Sequence, residues 1–174
     1  PKNVALAAEI ADGWLPLFYS PRMDATYRQL LADGFSRRGS VAGVRPPRPV
    51  EDFEVSAIVP VVVHDDVQAA ADAVRPFIAL YAGGMGAKGV NFHRDVLVRH
   101  GYEEVCDEIQ AHFLAGRRAE ATAAVPLELV QDVALVGPAA KIRAELAAWE
   151  RTAVTTIMVQ GDARSLGVVA DALG

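Results

Sequence analysis

The stretch FEVSAIVPVVVHDD, residues 53–66, decides the fold. It is β-branched and nearly all apolar, the composition of a strand buried on both faces, as in a parallel sheet covered by helices. Pro60 cannot donate to a ladder and predicts a bulge or the strand's end. Asp65 or Asp66 then supplies an N-cap for VQAAADAVRPFIALYAGG, a helix in which Pro76 predicts a kink.

Working outward, the same punctuation recurs. Upstream, NVALAAEIADG (3–13) reads as a short helix capped by Asn3 and stopped at Gly13. WLPLFY (14–19) reads as a short buried strand. A Ser-Pro start follows, with Met23, Tyr27, Leu30 and Leu31 at helical spacing. The Pro-rich segment 41–53 is expected to be an extended loop. Downstream, residues 94–118 read as helices broken at Gly101 and Gly116, and Gly-Pro starts another helix within 136–150. TTIMVQG (155–161) is a last strand, followed by a last helix. Three strands alternating with helices predict an α/β fold with a parallel sheet.

The chain's 174 residues are 52% apolar and 22% charged, with a net charge of −5, the profile of a folded domain with a sizeable core. Its only adjacent arginine pairs, Arg37-Arg38 and Arg117-Arg118, make no basic face, so no nucleic-acid partner is expected. The longest apolar run, 55–63, is too short for a membrane helix. No signal peptide opens the chain, and the lone Cys106 excludes an internal disulfide, so a soluble cytoplasmic domain is expected. Helical pattern begins almost at Pro1, with no methionine before it. Either processing made this end or the chain belongs to something longer.

YAGGMGAKGVNFHRD (81–95) contains Gly84, Gly86 and Gly89 in G-x-G-x-x-G spacing. A dinucleotide fingerprint needs a strand before the first glycine and an acidic residue at the end of a second strand about 20 residues on. A helix stands before these glycines and another follows, so the loop is read as a helix end and not as a pyrophosphate cradle. His64, His93, His100 and His112 show no i, i+4 pairing and Cys106 has no partner, so no metal site is expected. Cys106 itself, between Val105 and Ile109 in helical pattern, reads as a buried inert thiol.

Two features remain that α/β proteins use for ligands. One is the helix start PKNV, where free amides and the helix dipole favour a phosphate and Lys2 adds charge. Every helix has such an end, so on physical grounds alone an ordinary capped terminus is the favoured reading. The other is the set of strand ends at Tyr19-Ser20, His64-Asp65 and Gln160-Gly161.

PKNVALAAEIADGWLPLFYSP (1–21) resembles the luciferase-like monooxygenase superfamily, in particular its coenzyme F420-dependent oxidoreductases. The segments ALYAGGMGAKGVNFHRDVLVRHGYEE and DVALVGPAAKIRAELAAWERTAVTTIMVQG resemble the same branch, so the likeness spans the chain. It implies a (β/α)8 TIM-type barrel of which residues 1–174 are the C-terminal half. Pro1, Lys2 and Asn3 would then occupy the turn at the cofactor's phosphate-bearing tail, with Leu17 and Ser20 on the substrate side. Residues 83–93 would form a rim or subunit contact. The implied reaction is hydride transfer between coenzyme F420 and a small organic substrate. The alternatives are an FMN-dependent monooxygenase, or a catalytically silent half barrel serving as a dimerisation module. The resemblance points to no catalytic residue here, since most groups around the reactive ring belong to the half that this chain lacks. A half barrel also leaves strand edges and an apolar face open, so a homo-oligomer or a missing N-terminal half is expected to cover them.

Overall fold

The computed structural model describes residues 1–39, 49–86 and 90–174. At its centre the 53–66 stretch forms β2 (Glu54–Val63). The N-terminal end of β2 pairs in parallel with β1 (Gly13–Trp14), at Gly13–Glu54 and Trp14–Val55. Its C-terminal end pairs in parallel with β3 (Leu135–Gly137), from Val61–Leu135 to Val63–Gly137. β4 (Thr156–Gln160) also pairs with β2, and beside it Thr155 N–H donates to the Val55 carbonyl at 3.0 Å. Pro60 falls between the ladder that ends at Val55 and the one that begins at Val61. Pro60 does not end the strand, and β2 runs on to Val63.

Two compact units share these strands: Pro1–Ile58 with Ala148–Met158, and Val59–Ala147 with Val159–Gly174. In the first, α1 (Lys2–Ile10) packs on α2 (Asp24–Phe35). Gly34 makes that approach possible: a β-carbon there would lie 2.6 Å from Ala8 Cβ and closer still to the Ala5 carbonyl oxygen. α1 starts one residue before the expected cap. Pro1 occupies the N-cap position without a side-chain bond, and Asn3 lies inside the first turn. The helix ends at Ile10, and Gly13 opens β1, where a β-carbon would sit 2.7 Å from the Glu54 carbonyl oxygen.

The expected strand 14–19 is much shorter than its composition suggests. Beyond Trp14 the chain leaves the ladder, and Phe18 adopts a left-handed backbone, φ 58°. That geometry is incompatible with a continuing strand. Pro21–Met23 form a 3₁₀ turn capped by Ser20, as the Ser-Pro start predicts. Of the Pro-rich loop, residues 41–48 lie outside the described residues, and Val50–Asp52 form a 3₁₀ turn.

The second unit is the helical one. Asp66 caps α3 (Val67–Ala79), accepting from Gln68 N–H at 2.8 Å, and buries Ala70, Val74 and Ile78 at i, i+4, i+8 spacing. α3 runs through Pro76 without ending there, and widens into a π turn at Leu80–Gly84. α4 (Phe92–Arg99), α5 (Glu103–Leu114) and α6 (Arg118–Ala123) break at Gly101 (φ 96°) and Gly116 (φ 77°), where glycine accepts a left-handed backbone at little cost. α7 (Leu127–Val133) and β3 were not visible in the sequence, since β3 is only three residues long. α8 (Ala139–Trp149) and α9 (Ala163–Leu173) complete the chain. Leu97, Ile109, Leu129, Leu135 and Ile142 are fully buried.

Candidate functional site

The helix start PKNV is exposed at Pro1, Lys2 and Asn3. The Pro1 carbonyl accepts Val4 N–H at 3.1 Å and Ala5 N–H at 3.2 Å. The amides of Lys2 and Asn3 precede these acceptor pairs and belong to the group that a helix end leaves without an intrahelical partner. An exposed cationic side chain beside such amides suits a phosphate.

In the same unit lies the segment after β1. Leu17 is half-buried, while Phe18, Tyr19 and Ser20 are buried. Phe18 is the one non-glycine residue with positive φ among the described residues, a conformation that costs roughly 1 kcal/mol and persists only when its surroundings hold it. Those surroundings are identifiable. Tyr19 donates its hydroxyl to Asp24 Oδ1 at 2.5 Å, and its ring packs against Trp14, Tyr27 and Trp149 with centroids 6.1, 4.9 and 5.9 Å away. Ser20 Oγ accepts from Arg22 N–H at 3.3 Å.

Asp24 also accepts from Ala153 N–H at 2.7 Å and from Arg28 Nε at 2.6 Å. Burial pushes its carboxyl up, but the donors from Tyr19, Ala153 and Arg28 outweigh that and hold it below the usual carboxylate value. Tyr19 moves the other way: burial first, then the neighbouring Asp24 carboxylate, push its hydroxyl well above the ordinary phenol value. The pair therefore works as a fixed neutral donor on a fixed anion. Sequence reading named Tyr19 only as a strand end and missed Asp24. The five-residue spacing was visible, but Ala153 lies 129 residues from Asp24 along the chain.

The other strand ends belong to the second unit. His64 is exposed and engaged in its own turn: its N–H donates to the Gly137 carbonyl at 3.0 Å, and Nδ1 accepts from Asp66 N–H at 3.0 Å. Lys141 Nζ donates to the Val136 carbonyl at 3.0 Å and to Glu145 at 2.6 Å, tying α8 to the end of β3. At Gly161 a β-carbon would meet the Val61 carbonyl oxygen at 2.5 Å, and Asp162 caps α9 through Ser165 N–H at 2.7 Å.

The glycines of the 81–95 stretch serve helix packing. A β-carbon on Gly83 would lie 2.7 Å from Phe113 Cβ, and one on Gly84 2.5 Å from Phe113 Cζ, so both are small because α5 lies against the π turn. Asn91, buried, donates to the Tyr81 and Ala82 carbonyls at 2.8 and 3.0 Å and accepts from His93 and Arg94 N–H at 3.0 Å each. It caps α4 while satisfying carbonyls that the π turn frees. Gly89 lies outside the described residues. Cys106 is fully buried, and its thiol is pushed up to about 11, chiefly by burial. Among the described residues no three His, Cys, Asp or Glu side chains gather as a metal site, and no helix is long and apolar enough to cross a membrane.

β1, β2 and β3 pair in parallel, and each is followed in the chain by helix, the alternation of a barrel-type α/β protein. The chain belongs to the luciferase-like monooxygenase family, whose sequence profile matches residues 1–156. Over 159 residues it is 50% identical to a Mycobacterium tuberculosis protein named as a coenzyme F420-dependent oxidoreductase, covering 91% of this chain and 44% of that protein. Its fold is similar to the coenzyme F420-dependent tetrahydromethanopterin reductase of Methanopyrus kandleri, with TM-score 0.69 and 19% identity, over 95% of this chain and 45% of the reductase. It is also similar to an F420-dependent secondary alcohol dehydrogenase solved with an F420-acetone adduct, with TM-score 0.60 and 14% identity, over 91% and 40% of the two chains. The chain thus spans less than half the length of these relatives.

Proposed function

We propose that this chain is the C-terminal half of a (β/α)8 barrel in a coenzyme F420-dependent oxidoreductase that acts on a small organic substrate. The observation that carries this reading is the 50% identity, across nine-tenths of the chain, to a protein named for that activity. β4 agrees with the half-barrel placement, since it leaves Thr156, Met158 and Gln160 exposed where a complete barrel would pack further elements. Exposed Met85, Val90 and Phe92 suit a rim or subunit contact around residues 83–93.

The residues at the start of α1 fit the cofactor's charged tail. The amides of Lys2 and Asn3 and the Lys2 ammonium would hold its phosphate, with Pro1 fixing the entry into the helix. Leu17 and Ser20 would line the substrate side, where an apolar wall limits water and orients the reacting carbon. When bound, coenzyme F420 supplies a hydride carrier. The role of this half is to bind, orient and exclude solvent.

Titration of the complete protein with F420 and with FMN tests the reading. Binding of F420 at micromolar concentration, weakened by Lys2→Ala, is expected. FMN binding without F420 binding would overturn the cofactor, and binding of neither would leave a half barrel with a structural role.

A further inference from the structure

We propose that Asp24 is a positioning residue for the pocket: through the Tyr19 hydroxyl it holds the Leu17–Ser20 segment in the one conformation that the ligand meets. This rests on the reading above that Leu17 and Ser20 face the pocket. The geometry is specific. The segment carries its unfavourable backbone at Phe18, which is buried and flanked by the two candidate pocket residues and by Tyr19. It is held by the Ser20 side chain, which caps the Pro21–Met23 turn, and by the Tyr19 hydroxyl on Asp24 Oδ1 at 2.5 Å. The same oxygen accepts Ala153 N–H at 2.7 Å, from the connection between α8 and β4. The second oxygen is held by Arg28 Nε at 2.6 Å, and Arg28 in turn donates to the Arg151 carbonyl at 3.2 Å. One carboxylate therefore ties the segment after β1 to α2 and to residues 151–153. Backbone strain that is over-determined in this way marks segments whose shape is used.

An ordinary helix-start aspartate would cap its own helix. Asp24 accepts instead from a side chain five residues before it and a backbone amide 129 residues away. Its substitution is therefore expected to act on segment 17–20 more than on α2. Asparagine keeps one oxygen that can accept from both Tyr19 and Ala153, but puts an amide donor in place of the oxygen that accepts from Arg28, so it loses that bond and the charge. Alanine loses all three bonds, and Tyr19→Phe removes one donor while keeping the ring.

The test uses the complete protein with Asp24→Ala, Asp24→Asn and Tyr19→Phe. Two quantities are read: hydrogen exchange of the amides of residues 17–20 and 22, and the affinity and absorption spectrum of bound F420. Expected are at least tenfold faster exchange of those amides in D24A and Y19F, and about tenfold weaker F420 binding with a bound spectrum shifted toward that of free cofactor. D24N should recover most of both. Unchanged exchange, or an unchanged F420 spectrum and affinity with only the melting temperature lowered, would overturn the proposal and leave Asp24 a stabilising residue. Should the unsubstituted protein fail to bind F420, the functional reading falls, and the exchange measurement alone decides whether Asp24 holds the segment.

Discussion

Gly34 of α2 faces Ala8 of α1 so closely that an added β-carbon would stand 2.6 Å from the Ala8 Cβ. The Ala5 carbonyl is nearer still, and a backbone oxygen cannot rotate away. Gly34→Ala is expected to destabilise the protein by about 2–3 kcal/mol, the upper range for overpacking, despite alanine's better helix propensity. Urea denaturation of the two proteins measures it. A neutral or stabilising result would mean that α1 and α2 separate at no cost.

At Gly84 the obstacle is a side chain. A β-carbon there meets the Phe113 ring, so Gly84→Ala is expected to cost about 1–2 kcal/mol alone. Combined with Phe113→Leu it should cost less than the sum of the two single changes, a coupling that a double-mutant cycle reads directly. F420 affinity should not change in Gly84→Ala, because this glycine packs a helix.

Asn91 makes four hydrogen bonds to backbone groups around the π turn and the start of α4. Replacement by alanine removes the cap and leaves buried carbonyls unsatisfied, at an expected cost of about 2–3 kcal/mol. Hydrogen exchange should show the loss at the first turn of α4 before α5 responds.

The Tyr19–Asp24 pair gives stability opposite signs at the two ends of the pH scale. Asp24 is held below its ordinary value of 3.8, so its contribution is full above that pH and is lost as pH falls through the lower folded value. Tyr19 is held above its ordinary 10.0, so its contribution is full below pH 10.0 and is lost as pH rises toward the folded value. Urea midpoints against pH should show a weaker acid branch in Asp24→Asn and a weaker alkaline branch in Tyr19→Phe.

Cys106 should resist alkylation in the native state. Burial removes access and keeps the thiol protonated at neutral pH. Iodoacetamide labelling of Cys106, read by peptide mass spectrometry, is expected to follow the unfolding transition. Rapid labelling of folded protein would show that α5 opens locally.

The sequence by itself determined the features governed by local rules. β2 follows from its run of β-branched residues, the start of α3 from the Asp66 cap, and the breaks after α4 and α5 from Gly101 and Gly116. The quoted motifs mark the luciferase-like family with no tertiary information. The tertiary structure decided what depends on partners distant in the chain. β3 is a strand because Leu135–Gly137 find Val61–Val63, which three apolar residues cannot announce. Pro60 stays inside β2, which runs through it to Val63. Gly34 and Gly84 are fixed by the backbone and the ring lying across from them, and Asp24 by an amide at residue 153. Caps, turns and strand composition act over a few residues and are written in order. Close approach and shared hydrogen bonds arise only once the chain has folded back on itself.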